Sequence, residues 1–221
     1  WGWHNCFYLS SAGMALGLAV FQIGYPHYAP ESGEAVRTKL LSPLAALPRA
    51  AGMRGVNTVN YPFDVERMNI DVDGTAKLIK LVKPTVAAFG QSVFLFPTPL
   101  KDLRDAFQEA DCRVWFDGAH VMGLAAGGKF QDPLKEGAEI VTGSTHKTFF
   151  GPQGGIILCK TRHAKDIDNA AWQLVNNHHV HRVAGLSVAL AEFLAFGHSY
   201  AEQVVRDAQG LAEELHSRGL E

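Results

Sequence analysis

In the stretch VTGSTHKTFFGPQGGIILC, residues 141–159, a lysine sits between a histidine and a threonine, just ahead of a glycine-rich run. A lone loop lysine is ordinarily a solvated cation. Here EIVTG reads as a buried strand arriving, GPQGG as a tight turn and GIILC as a buried strand leaving, which puts Lys147 in a short link between two core strands. Such a lysine is partly desolvated. Desolvation favours the neutral amine, and a neutral amine is a nucleophile toward carbonyl carbon.

Two other expected strands end on residues of related chemistry. TVAAFG is followed by Gln91 and Ser92, CRVWF by Asp117, Gly118, Ala119 and His120, and EIVTG itself by Ser144, Thr145, His146 and Lys147. In an open parallel sheet, ligands bind beyond the carboxyl ends of the strands. Each residue also has a purely structural use: Asp117 can cap a turn, His120 can be a satisfied core histidine, Ser92 can bond its own backbone. Their arrival together at strand ends favours a site. An acid beside an amine suits pyridoxal phosphate, whose aldehyde is held as an imine by a lysine and whose ring nitrogen is kept protonated by a carboxylate.

These ends require a sheet flanked by helices. DGTAKLIKLVK carries Ala76, Ile79 and Val82 at helical spacing, and PLKDLRDAFQEA carries Leu100, Leu103, Phe107 and Ala110 on one stripe. Strands and amphipathic helices alternate, as in an α/β domain with a mostly parallel sheet. From about residue 182, RVAGLSVALAEFLAFG is apolar nearly all round and reads as a buried helix. A second, amphipathic helix follows in YAEQVVRDAQGLAEELHSRG, with Val204, Ala208, Leu211 and Leu215 inward. The expected division is a large domain over residues 1–181 and connector helices over 182–221, leading toward a smaller carboxyl-terminal domain. A chain that starts at Trp1 and stops at SRGLE reads as part of a longer protein.

Composition narrows the partners. With 20 basic and 22 acidic residues and 47% hydrophobic content, the 221-residue chain has no charge excess that would recruit nucleic acid or an acidic membrane. Cys6, Cys112 and Cys159 are scattered and odd in number, which fits a reducing cytoplasm better than a disulfide framework or a zinc site. AGMALGLAVFQIG is too short to span a bilayer and has no basic region before it. The HHVH run at 178–181 has no carboxylate or cysteine beside it, which argues against a metal site.

The sequence WFDGAHVMGLAAGGKFQDPLKEGAEIVTGSTHKTFFGPQGG resembles the cofactor-binding core of serine hydroxymethyltransferases, a group of fold-type-I pyridoxal-phosphate enzymes. The likeness is tight over residues 84–160 and looser from about 55 to 221. It implies an aspartate aminotransferase-like large domain and Lys147 as the Schiff-base lysine. Asp117 would partner the pyridine nitrogen, and His120 would contact the ring-oxygen side with Ser92 near the same oxygen. Ser144 and His146 would line the pocket, and Gly151 to Gly155 would form the turn before the next strand. It further implies retro-aldol Cα–Cβ cleavage of a β-hydroxy amino acid, tetrahydrofolate as one-carbon acceptor, and a homodimer completing the site.

Several segments depart from that pattern. Where the family has a glycine-rich phosphate segment, this chain has WQLVNNHHVHR, so Asn176, Asn177, His178 and His179 would have to supply donors instead. GQSVFLFP has Phe94 where an aromatic hydroxyl is expected. These departures resemble the threonine aldolase and transaldolase offshoot and set folate dependence against a folate-free alternative. In YLSSAGMALGLAVF, Ser10, Ser11 and Gly13 precede an apolar helix and can form the other phosphate site or merely cap a core helix. PESGEAVRT offers Glu34 and Ala35 where a residue stacked on the cofactor is expected, and His27 is poorly spaced to replace it. A catalytically silent cofactor-binding homologue is therefore a third reading. The resemblance places the arginine that grips the substrate carboxylate in the carboxyl-terminal domain, with Arg182 as the candidate inside this chain.

Overall fold

Two consecutive apolar strands, VAAF and RVWFD, set the centre of the sheet. Strand β5 (Val86–Phe89) pairs in parallel with β6 (Arg113–Asp117), and β6 with β7 (Ile140–His146). In this computed structural model the described residues are 39–41 and 57–220 apart from 178, all within the unit Arg37–Glu221. Strands β1 (Lys39–Leu41) and β2 (Asn57–Val59) extend the sheet in parallel beyond β5. The antiparallel β8 (Phe150–Cys159) closes the other side, giving the order β2-β1-β5-β6-β7-β8. A separate two-stranded ribbon joins β3 (Phe63–Asp64) to β4 (Asn69–Ile70).

The helices follow from caps and apolar faces. Asp71 accepts from the Gly74 amide to start α1 (Val72–Val82), which ends at Lys83 in the left-handed region, one residue before Pro84. Helix α2 (Arg104–Glu109) buries Ala106 and Phe107, and Leu100 and Leu103 are buried just before it. On β6, Val114 and Phe116 are buried while Trp115 and Asp117 between and beyond them are half-buried, the alternation of a pleated strand. Phe116 is fully buried, and a ring so placed contributes roughly 3 kcal/mol. Short helices α3 (Met122–Ala126) and α4 (Pro133–Glu136) link β6 to β7, and α5 (Ala164–Leu174) follows a 3-10 turn at Thr161–His163.

The glycine-rich GPQGG run is strand, not turn. It lies within β8, where Gly155 pairs with Ser144 and Phe150 with His146, and the connection is confined to residues 147–149. Gly151, Gly154 and Gly155 are absent from the positive-φ glycines. At Gly151 the reason for glycine is closeness, because a Cβ there would sit 2.7 Å from the Thr145 carbonyl.

The carboxyl-terminal region also differs from expectation. One helix, α6 (Val180–Ser217), runs unbroken for 38 residues where two successive helices were expected. The helix approaches the end of α3 closely here: the Gly197 carbonyl and the Ala201 methyl occupy the space that a Cβ on Gly127 would need. Ala189, Gly197 and Ala201 are buried and the Phe193 ring stacks on Phe149 and Phe150. Much of the remaining surface, including Val183, Leu194 and Phe196, is exposed rather than buried. Val204 is half-buried, but Ala208, Leu211 and Leu215 are exposed, not inward. By length and hydropathy α6 would suffice to cross a membrane, yet one face is committed to β8 and α3.

Candidate active site

Three parallel strands deliver the site residues. At the end of β5, Gly90 has φ +128°, and a Cβ there would overlap the Asp117 carbonyl; glycine lets the ends of β5 and β6 close on one another. At the end of β6, Asp117 folds its carboxylate back so that Oδ1 accepts from the Ala119 amide at 3.0 Å. The Gly118 amide donates to the Thr142 carbonyl at 2.8 Å, which ties this turn to β7. His120 is half-buried on the same turn, three residues from Asp117. At the end of β7, Lys147 begins the turn into β8, and its Nζ lies 3.0 Å from His120 Nε2. Whichever of the two carries the proton, it lies between them and can be exchanged.

Lys147 is exposed, contrary to the desolvated link expected of it. The turn projects beyond the sheet edge, so the two flanking strands do not enclose the side chain. Among the described residues Lys147 has no carboxylate ion-pair partner. An amine facing an imidazole remains available to an electrophile in a way that a salt-bridged one is not.

The other expected site residues fall in three groups. Ser144 is half-buried on β7, paired with Gly155 beside the cluster. His146 is exposed, with Nδ1 within 3.2 Å of both the amide nitrogen and the carbonyl oxygen of Gly154, so that nitrogen is engaged with β8. Ser92 is exposed on the loop after β5, while Phe94 turns inward against Phe116 and Phe130. Asn176 and Asn177 lie on the link between α5 and α6, Asn177 with φ +56°, and His179 and His181 at the start of α6; none is at the strand ends. Arg182 donates Nη1 to the Gln153 carbonyl at 3.0 Å. Ser10, Ser11, Gly13, His27, Glu34, Ala35 and His178 lie outside the described residues.

Thr148 has a part that its place in the sequence did not reveal. Its Oγ1 donates to the His120 carbonyl at 2.7 Å and accepts from the Gly123 amide at 3.2 Å, while the Tyr200 hydroxyl donates to its carbonyl at 3.0 Å. The threonine next to the lysine was a visible signal; Tyr200, on a distant helix, had none. Away from this end, burial pushes the Cys112 thiol up to about 12, so it is a core group and not a nucleophile.

A mostly parallel α/β sheet with an amine, an imidazole and a carboxylate at its carboxyl edge defines the large domain of a fold-type-I enzyme. The solved L-threonine transaldolase from Pseudomonas fluorescens matches with a TM-score of 0.73 and 30% identity, over 81% of this chain and 43% of that one. The family described as serine hydroxymethyltransferase matches residues 49–221, and the chain belongs to it. The serine hydroxymethyltransferase of Picrophilus torridus is 55% identical over 180 residues, covering 77% of this chain and 40% of that protein. The one from Methanothermobacter thermautotrophicus is 56% identical over 172 residues, covering 77% and 41%. The chain thus spans about two fifths of the length of these relatives.

Proposed function

We propose that the chain is the cofactor-binding part of a pyridoxal-phosphate enzyme that transfers a hydroxymethyl group between serine and glycine, cleaving the Cα–Cβ bond of a β-hydroxy amino acid. The observation that carries this reading is the Lys147 amine, exposed, without a carboxylate counter-ion among the described residues and 3.0 Å from His120 Nε2, on a strand end neighbouring that of Asp117. The donor set fits the cofactor: an accessible amine for the aldehyde and a carboxylate for the ring nitrogen. Lys147, Asp117 and His120 would hold it, with Ser92, Ser144 and His146 around them; Ser11, Gly13, Asn177 and His178 are the candidates for its phosphate. When bound, the cofactor supplies an electron sink for the pair released by Cα–Cβ cleavage.

The chain's own groups do the rest. Lys147 would supply the amine that holds the cofactor aldehyde. His120 Nε2 is within reach to take a proton from Nζ or return it. Asp117, oriented by the Ala119 amide, provides the negative charge that favours a protonated ring nitrogen. Tetrahydrofolate is the proposed one-carbon acceptor. The resemblance to the Pseudomonas transaldolase favours a second reading, aldol exchange on threonine without folate. The reading extends to a cytoplasmic homodimer in which residues 1–181 belong to the large domain and 182–221 connect it to a smaller one.

The test is borohydride reduction of the protein loaded with pyridoxal phosphate, followed by peptide mapping and by turnover of serine and threonine with and without tetrahydrofolate. A tag on Lys147 and folate-dependent serine cleavage are expected. A tag on Lys160 or Lys135 would overturn the site, folate-independent threonine turnover would select the second reading, and a correctly tagged full-length protein without turnover would mark a silent homologue.

A further inference from the structure

The Lys147 amine is exposed at the end of a side chain with four rotatable bonds, yet it meets one imidazole nitrogen at hydrogen-bond distance. Something must hold the two backbones from which these side chains start. The hydroxyl of Thr148 is such a link: it belongs to the residue next to Lys147 and donates to the carbonyl of His120 itself. The ring closes through Lys147, Thr148 Oγ1, the His120 carbonyl and the imidazole back to Nζ. The same oxygen accepts from the Gly123 amide at the start of α3, and a Cβ on Gly123 would overlap the Thr148 carbonyl, so the turn is pressed against that helix with no slack. From the other side, Tyr200 of α6 donates to that carbonyl and packs edge-on against Phe150, ring centroids 4.7 Å apart.

We propose that Thr148 is a positioning residue which, with Tyr200, sets the Lys147 amine against the His120 imidazole, and that α6 is thereby a working part of the site. Misplacement of a reacting group by about 1 Å can cost about 100-fold in rate. A hydroxyl that joins the two backbones limits that displacement at its origin. The importance of the amine rests on the proposed function; its placement by Thr148 does not.

The experiment uses the cofactor-free protein. Lys147 acetylation by acetic anhydride is measured by peptide mass spectrometry relative to Lys160, alongside amide exchange over residues 118–124, in Thr148→Val, Thr148→Ser and Tyr200→Phe. In Thr148→Val the Lys147/Lys160 labelling ratio should change at least threefold and exchange over 118–124 should accelerate at least tenfold. Thr148→Ser should match the original protein, and Tyr200→Phe should move both readouts in the Val direction by less. A folded Thr148→Val with the original ratio, or a Ser variant as altered as the Val variant, overturns the proposal. If the Val variant does not fold, unchanged readouts in Tyr200→Phe overturn it, and shifted ones sustain it. No substrate or cofactor enters the measurement, so loss of the proposed reaction would leave its outcome intact.

Discussion

The two ends of the parallel strands handle charge in opposite ways. At the amino end, Glu139 just before β7 contacts both Arg162 and His163, and its main chain is bonded to Val114 and Lys160. Burial alone would raise the Glu139 carboxyl, but hydrogen bonds from Arg162 and His163 outweigh it and hold the group below the usual carboxylate range. A cleft of about 1050 Å³ opens there, lined by Arg104, Arg113, Lys160 and Asp166 among others. At the carboxyl end, Asp117 bonds a backbone amide and Lys147 an imidazole, and among the described residues neither is in an ion pair. Charge neutralised internally stiffens a fold; charge left without an opposite charge beside it is available to a ligand. The size of a cleft does not by itself identify the site.

The sharpest way to break this contrast is to exchange a lysine at each end for alanine. Lys147→Ala should lower cleavage of a β-hydroxy amino acid by about 10³-fold or more, whereas Lys160→Ala should leave it unchanged, as steady-state kinetics would read directly. Asp117→Asn keeps the shape but removes the charge. Turnover should fall about 100-fold while cofactor binding, followed by absorbance titration, weakens much less; an unchanged rate would reduce Asp117 to a turn residue.

The amino end should answer in stability instead. Glu139→Gln should cost about 2 kcal/mol at pH 7 by denaturant unfolding, with little change in turnover. The folded-state value is depressed below the ordinary 4.5, so the contribution is present above that pH and fades as pH falls through the lower folded value. The variant's stability curve should therefore converge on the original at strongly acid pH. Smallest of all, Lys135→Ala removes an exposed pair with Asp132 at 3.0 Å and should change stability by less than about 0.5 kcal/mol.

The strand-end residues were legible because a buried parallel strand is a continuous apolar run, and the residues directly after such a run must emerge at the sheet edge. Asp117, His120 and Lys147 could be placed at neighbouring strand ends on that ground. Glycine misled where it serves closeness rather than turning: Gly151 to Gly155 read as a turn, although they lie inside β8. Local periodicity could not show which faces of α6 find partners, since burial there is decided by Gly127, Phe149 and Phe150, far away in the chain. Thr148 and Tyr200 escaped notice for the same reason, being 52 residues apart and joined by one hydrogen bond.

The unbroken length of α6 has a mechanical consequence. At 1.5 Å per residue the segment from Tyr200 to Ser217 is an arm of about 25 Å. Its fulcrum is the close contact of Gly197 and Ala201 with Gly127, braced by Lys129 against Glu202. Around such a pivot, a tilt of about 5° carries the far tip roughly 2 Å, while the Tyr200 hydroxyl, close to the fulcrum, moves only a few tenths of an ångström. The geometry is that of a reducing lever: a swing of the distal end would reach the Thr148 carbonyl, through the Tyr200 hydroxyl, as a displacement of only a few tenths of an ångström.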